Sequence, residues 1–358
     1  MVSVVGWDIG GANTKAAYMK TANGEIKKFE PAMEYFPFWK RDTEQLCTLL
    51  STLKGKVAGS VKLDCVGVTM TAELSDAYRT KREGINHILE CVNRVFTGTR
   101  ILVVTVDVTL KSIIEAKAEP LKVAAANWAA TGWMVSQCIK DCVVVDVGST
   151  STSIIPIAYG KVAAAGKNDL EKLMNGELVY TGSLRTNVAA TVNFIPVRGS
   201  VARVASELFA QSGDVHLVLG NIRAEDYTAE TADGKGKTRA DALARLARVV
   251  CADIDMLAEQ EIVQIATHVY DRQVEQIAEG LNQVYSRLKP NAKITVPAVV
   301  AGLGKNFLGE KAAQKAGVSK IMDLGELLPS DAAMVSPAVG VALMAATKLE
   351  GRSLKWTL

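Results

Sequence analysis

The sequence predicts an α/β fold of two lobes related by duplication, with a helical insertion in the second lobe. Three observations carry that prediction. An apolar run near the N-terminus ends in a carboxylate and a glycine turn, a second copy of the run follows about one domain length later, and a long charged helical stretch comes after the second copy. The first copy is Val4 to Met19, VVGWDIGGANTKAAYM, and the second is Asp141 to Ile157, DCVVVDVGSTSTSIIPI. Laid on one another, DIGGANTKAAY and DVGSTSTSIIP keep the pattern Asp-aliphatic-Gly-small-x-x-Thr. The repeat divides the chain into a first lobe at residues 1–139 and a second at 140–335, with the insertion at about 213–290. A C-terminal helix at 336–358 is expected to pack back between the lobes.

Each copy reads as a β-hairpin with a glycine-containing turn. Gly10 and Gly11 in the first, and Gly148 in the second, let the backbone turn tightly and bring N–H groups to an anion. Asn13, Thr14 and Lys15 add donors to the first turn, and Ser149, Thr150 and Thr152 add them to the second. Asp8 and Asp146 are placed to hold a metal on a bound phosphate. Two copies at domain spacing are expected to face each other across a cleft. The alternative is a pair of unrelated hairpins sharing a common turn composition.

Composition narrows the function classes. The 358 residues are 49% hydrophobic and 22% charged, enough for two packed cores. A net charge of +3 with scattered basic residues gives no support for a nucleic-acid surface. No apolar run is long enough to span a membrane, and the N-terminus enters a strand at once, so a cytoplasmic chain is expected. The three histidines show no metal-site spacing, and most of the six cysteines sit in apolar or amphipathic segments as small hydrophobes. Cys138 and Cys142 form a single C-x3-C pair, read as buried structural thiols or as a metal or redox pair.

In chain order, the first hairpin is followed by a third strand at Ile26–Phe29 and by YFPFW (Tyr35–Trp39), a loop or edge strand. Leucines and Cys47 at helical spacing predict a helix over Thr43–Lys54 with Asp42 or Thr43 as cap. Val61–Thr69 is a strand that opens into Thr71, Glu73, Ser75 and Asp76. A strand ending in polar residues marks the ligand edge of an open α/β sheet, which makes Thr71 and Asp76 candidates. Glu83–Phe96 is amphipathic helix and Ile101–Val106 a buried strand. Ala124–Ile139 is helical, with Asn127 able to face a cleft and Trp128 and Trp133 expected at the domain junction. Beyond the second hairpin, Asp169–Met174 is a short helix, and Gly176–Thr181 a strand running into Arg185 and Thr186. Arg185 beside Thr181 suits an anionic substrate group. The loop Tyr227–Thr238 holds Asp233 and Lys235 among glycines, a composition shared by phosphate wraps and by solvated loops. Two amphipathic helices, Thr238–Leu257 and Glu259–Leu288, suit a cap or a homodimer contact. Ile294–Ala301 is a strand ending at Gly302 and Gly304, with a helix over Asn306–Lys315, and SPAVGVALMAATK (Ser336–Lys348) is a helix of small residues made for close packing.

Paired hairpins of this kind resemble the actin/sugar-kinase/heat-shock ATPase superfamily. The stretches GVTMTAELSDAY, AANWAATGWM, GELVYTGSLRTNVAA, HLVLGNIRAEDYTAETADGK and VVAGLGKNFLGEKAAQKAG are similar to its hydantoinase A/oxoprolinase branch, and to the members linked to tetrahydromethanopterin C1 pathways. The resemblance spans nearly the whole chain and implies a two-lobed actin-like (ribonuclease H-like) fold. It implies a transferase of methanofuran biosynthesis that joins an aminomethylfuran diphosphate to γ-glutamyltyramine and releases pyrophosphate. Mg²⁺ is then the expected cofactor, held by Asp8 and Asp146, with no requirement for ATP. Asp76 is the first candidate for the base that ionises the acceptor phenol, and Arg185 for the grip on its acidic end. In the superfamily the strand–glycine–helix unit at Gly302 and Gly304 backs an adenosine. Two other classes stay open: an ATP-dependent kinase or hydantoinase-like hydrolase, and a non-catalytic nucleotide-dependent activator that would use the C-x3-C pair.

Overall fold

A computed structural model describes residues 1–288 and 296–355, with the side chain of Ser330 left out. By internal packing the chain forms two units. Unit 1 gathers Met1–Cys142, Ile155–Lys172 and Leu324–Leu358, and unit 2 gathers Val143–Ile154 and Leu173–Asp323.

The sheet of unit 1 is built from β1 (Val2–Ile9), β2 (Asn13–Ala22), β3 (Glu25–Tyr35), β4 (Cys65–Met70), β5 (Arg100–Val104) and β6 (Leu110–Ser112). Its order is β3-β2-β1-β4-β5-β6, with β1, β4 and β5 parallel and the remaining pairs antiparallel. Alternation along β1 decides which layer each residue feeds. Val5, Trp7 and Ile9 join the core made with the helices Gln45–Ala58 and Lys81–Val95, through Leu46, Leu50, Leu53, Ile85, Ile88 and Val92. The other face of β1 carries Gly6, where a Cβ would lie 2.0 Å from the Ala338 carbonyl oxygen. The helix Ser336–Glu350 rides directly on that face, and Gly340 lets it approach the helix Asn127–Ser136, since a Cβ there would meet the Ala130 carbonyl at 2.4 Å. At its far end the Glu350 carboxylate accepts from the Thr21 hydroxyl at 2.5 Å and from the Gly24 N–H at 2.8 Å. The C-terminal helix therefore belongs to unit 1. Its small residues serve contact with a sheet and one neighbouring helix of that unit.

In unit 2, β7 (Cys142–Val147) and β8 (Thr152–Ala158) continue into β9 (Lys161–Val162) and β10 (Leu178–Val179), and β11 (Phe194–Val197) pairs β12 (Ser200–Arg203) as a separate hairpin. The strands β13 (Ala298–Ala301) and β14 (Ile321–Asp323) complete the sheet order β10-β8-β7-β13-β14, in which β7, β13 and β14 are parallel. The second half of β8, with β9, belongs to unit 1. The insertion contains the helices Ser212–Val218, Arg239–Arg248 and Glu259–Leu288. The long helix serves two cores. Ile262, Ile265, Ala266 and Val269 close the insertion, while Ile277, Leu281 and Val284 lie under β7 and β13.

Several boundaries differ from the sequence reading. The third strand runs on to Tyr35 as an edge strand, which tolerates Pro31. The strand expected at Gly176–Thr181 shrinks to Leu178–Val179. The helix expected over Thr238–Leu257 ends at Arg248, where the chain turns through Cys251 at φ +56°. Residues 294 and 295 of the expected Ile294–Ala301 strand, and residues 356–358, lie outside the described residues.

Candidate active site

The two turns are built alike. In the first, the Gly10 N–H donates to the Asn13 carbonyl at 3.0 Å; in the second, the Gly148 N–H donates to the Ser151 carbonyl at 3.0 Å. The next parallel strand braces each one at the same place. Thr71 N–H donates to the Ile9 carbonyl (2.9 Å), and Gly304 N–H to the Val147 carbonyl (3.1 Å). Each bond reaches the residue after the aspartate, so the duplication extends from sequence to hydrogen-bond pattern. Gly10 is required, because a Cβ would stand 2.7 Å from the Asn13 carbonyl oxygen, whereas Gly11 has open space. YFPFW buttresses the first turn: Phe36 N–H donates to the Ala12 carbonyl (2.8 Å) and Phe38 N–H to that of Gly11 (3.0 Å).

Asp8 is 3% exposed, with Lys15, its cross-strand partner, 3.3 Å from one carboxylate oxygen. The other oxygen, and the buried hydroxyls of Thr14 and Thr69, have no hydrogen-bond partner among the described residues. Thr69 is the residue beside Asp8 on β4. Burial raises the Asp8 pKa and Lys15 opposes the rise. A carboxylate and hydroxyls make a hard-oxygen donor set that fits Mg²⁺, an ion that takes few protein ligands and keeps several waters. Among the described residues no group of three or more histidine, cysteine, aspartate or glutamate side chains is placed to hold a metal.

Around the second turn, Ser183 N–H donates to the Gly148 carbonyl (2.9 Å), and the N–H groups of Leu184 and Arg185 both donate to that of Ser149 (3.0 Å each). Gly182 lies so close that a Cβ would stand 2.6 Å from the carbonyl carbon of Thr150. The Arg185 guanidinium donates to Thr150 Oγ1 at 3.1 Å. Arg185 thus stands on the second turn itself, a location the sequence did not give. Asp146, Gly148, Ser149, Thr150 and Arg185 are all half-buried, while Thr152 is fully buried and donates to the Thr181 carbonyl (2.8 Å). Thr181 is structural: its hydroxyl accepts from Gln273 at 2.7 Å and donates to Thr186 at 3.3 Å.

Other candidates divide. Thr71 reaches the first turn, its Oγ1 lying 3.5 Å from the place of a Gly10 Cβ. Asn127 starts its helix and accepts from the Trp128 N–H (2.8 Å). Trp128 is buried within unit 1 beneath Lys172, whose Nζ is 3.9 Å from the ring centroid. Asp233 and Lys235 lie in the insertion, just before the helix Arg239–Arg248. Asp233 pairs with the buried Arg245 and with Arg248 at 3.1 Å each, and Lys235 is exposed. Burial raises the Asp233 carboxyl, but the Lys235 N–H and the two arginines outweigh it and leave its pKa lowered. Gly302 and Gly304 have a packing reason of their own. At Gly302, with φ +82°, a Cβ would meet the Val147 carbonyl oxygen at 2.4 Å and Asp146 Oδ1 at 2.6 Å, and at Gly304 it would meet Ser183 Oγ at 2.5 Å.

Asp76 is exposed, but three residues earlier Glu73 is 1% exposed, and both of its carboxylate oxygens lack a close partner among the described residues. Burial pushes its pKa up to about 7. Sequence reading passed over Glu73 because nothing local distinguishes a buried from an exposed acid in TAELSD. The cysteine pair is split, with Cys138 exposed and Cys142 buried, and both are free thiols.

The sheet topology, the duplicated turns and the brace at each aspartate define a two-lobed actin-like fold. Residues 64–348 match the hydantoinase/oxoprolinase family, and the chain belongs to that family. Among curated relatives, it is 37% identical over 350 residues to (4-{4-[2-(γ-L-glutamylamino)ethyl]phenoxymethyl}furan-2-yl)methanamine synthase of Methanocaldococcus jannaschii, covering 98% of this chain and 99% of that one. It is 35% identical over 221 residues to the protein of the same name from Methanococcus vannielii, covering 61% of this chain and 97% of that one. Among solved structures, acetone carboxylase in its nucleotide-free form is alike in fold, with a TM-score of 0.55 at 10% identity over 96% of this chain and 70% of that one. Among the described residues no helix is long and apolar enough to cross a membrane.

Proposed function

We propose that this chain is an aryl-ether-forming transferase of methanofuran biosynthesis. It joins (5-aminomethylfuran-3-yl)methyl diphosphate to the phenol of γ-glutamyltyramine and releases pyrophosphate. The observation that carries the reading is the 37% identity to the synthase over 98% of the chain, which takes in both phosphate turns. The product named for that relative contains a phenol oxygen bonded to a furanylmethyl carbon. Making that bond requires a carbon with a good leaving group and a phenol that gives up its proton.

In the reaction the bond from the furfuryl-type carbon to the diphosphate oxygen breaks, and its electron pair leaves with pyrophosphate. The electron-rich ring stabilises positive charge on the carbon as that happens. The phenol oxygen bonds to the carbon and its proton passes to a base or to water. The reading asks only that each turn, in its own unit, accept phosphate oxygens through backbone N–H groups and the side chains of Asn13, Thr14, Lys15, Ser149 and Thr150. Mg²⁺, held in unit 1 by Asp8 with the hydroxyls of Thr14 and Thr69 beside it, would neutralise charge on the departing diphosphate. The contact of Arg185 with Thr150 supports a grip on that diphosphate in place of the acceptor's glutamyl carboxylate. The test is direct: with donor, acceptor and Mg²⁺ and without nucleotide, the purified protein is expected to yield the ether and pyrophosphate in equal amounts. Turnover that requires ATP would overturn the proposal.

A further inference from the structure

Glu73 is a buried carboxyl group to which no side chain among the described residues donates a hydrogen bond. It lies on the single turn Ala72–Leu74 directly after β4, and neither oxygen has a partner. Ionising such a group is costly, so burial holds it protonated up to about pH 7. The backbone N–H groups of Glu73 and Ala125, together with Lys81, pull its pKa down, and Asp169 pushes it up. The charged and titratable groups around it are engaged elsewhere. Lys81 pairs with Asp169 at 2.5 Å, Tyr78 shares a hydrogen bond with His87 at 2.7 Å, and Lys172, on the helix of Asp169, stands over Trp128. Packing does not call for an acid here. The helix Lys81–Val95 meets this segment at Gly84, where a Cβ would come within 2.7 Å of the Glu73 Cα, and an apolar side chain would fill the space at less cost.

The position of Glu73 relates it to the first phosphate turn. Thr71 is bonded to Ile9 and abuts Gly10, and Glu73 is two residues further on, at most ~7 Å along the chain. That reach is comparable with a furan ring flanked by two methylenes, which is what separates diphosphate from amine in the proposed donor.

We propose that Glu73 holds the ammonium group of the donor, and so selects furfuryl-type diphosphates that carry a primary amine. This rests on the transferase reading above. An ammonium group brings charged N–H donors, which no side chain among the described residues gives to Glu73. The pairing also serves the chemistry, because an unpaired ammonium disfavours positive charge on the ring as the carbon–oxygen bond breaks. A carboxylate beside it offsets that effect.

The test compares Glu73→Gln with wild type on two donors, the aminomethyl diphosphate and its analogue with methyl in place of aminomethyl. Glutamine matches the protonated side chain in shape, so the variant is expected to fold. Its preference for the amine donor, read as a ratio of kcat/KM values, should fall on the order of 10–100-fold, as for loss of a charged hydrogen bond, while the methyl donor is little affected. A second arm needs no turnover. Calorimetry with 5-(aminomethyl)furan-3-methanol near pH 7, in buffers of unlike ionisation heat, should show a proton released on binding to wild type and none on binding to the variant. Equal losses on both donors, no loss on either, or no proton release from wild type would overturn the proposal. Should wild type form no pyrophosphate from either donor, the transferase reading falls and proton release alone decides the role of Glu73.

Discussion

A carboxyl held protonated to about pH 7 makes Glu73 a pH-dependent burden on the fold. Its ordinary value is 4.5, so between pH 4.5 and about 7 the native chain binds more protons at this position than the unfolded chain does. Stability contributed by the neutral form is present below that window and is lost as pH rises through it. Glu73→Gln removes the dependence. The variant is expected to match wild type near pH 4 and to exceed it at pH 8 by up to ~3 kcal/mol in urea unfolding, at 1.36 kcal/mol per pKa unit. A difference that stays flat with pH would show that Glu73 is ionised in the fold. Arg185 gives the second prediction at this scale. Arg185→Lys keeps the charge and loses the fork, so binding of Mg-pyrophosphate should weaken about 10-fold, as for one charged hydrogen bond, with KM for γ-glutamyltyramine unchanged. The reverse pattern would return Arg185 to the acceptor. The sequence could propose Arg185 and Asp76, but it could not rank them against Glu73. Burial and the contact with Thr150 are made by segments distant in the chain.

Single elements were legible where their signal is local. Asp8-Ile9-Gly10 and Asp146-Val147-Gly148 declare their turns within a few residues, and the structure gives both the same hydrogen bond. The Gly302 and Gly304 unit was legible as a turn but not as packing, because what crowds it is β7. Gly304→Ala is expected to cost ~1–3 kcal/mol by overpacking against Val147 and Ser183, measured by urea unfolding with no nucleotide present. An unchanged midpoint would mean that the crowding relaxes freely. The loop Tyr227–Thr238 looked like a phosphate wrap because glycine and lysine say nothing of Arg245. That buried guanidinium donates to Asp214 at 2.9 Å and to Asp233 and the Gly236 carbonyl at 3.1 and 3.0 Å, pinning the loop from beneath. Arg245→Ala leaves Asp214 buried without its cation and is expected to cost ~3–5 kcal/mol and to open the loop to protease. A stable, protease-resistant variant would contradict the structural role.

At the scale of the molecule, duplication was the most readable feature, since two copies of one pattern fix two sheets with the same strand logic. The pairs β1/β4 and β7/β13 are both parallel, and each places an aspartate next to a bracing strand. What stayed hidden was which segments join which unit, including the return of residues 324–355 to unit 1. That path follows from tertiary contacts such as Gly6 against Ala338, which leave no periodic trace in sequence. Which bond the molecule breaks separates a carbon–oxygen-cleaving transferase from the phosphoryl-transfer chemistry of kinases. The measurement uses donor labelled with ¹⁸O at the oxygen that bridges carbon and phosphorus, incubated with protein, Mg²⁺ and γ-glutamyltyramine. Carbon–oxygen cleavage sends all of the label into pyrophosphate and leaves the ether unlabelled, which is the expected result. Label retained on a furanmethanol product would show phosphorus–oxygen cleavage and contradict the account.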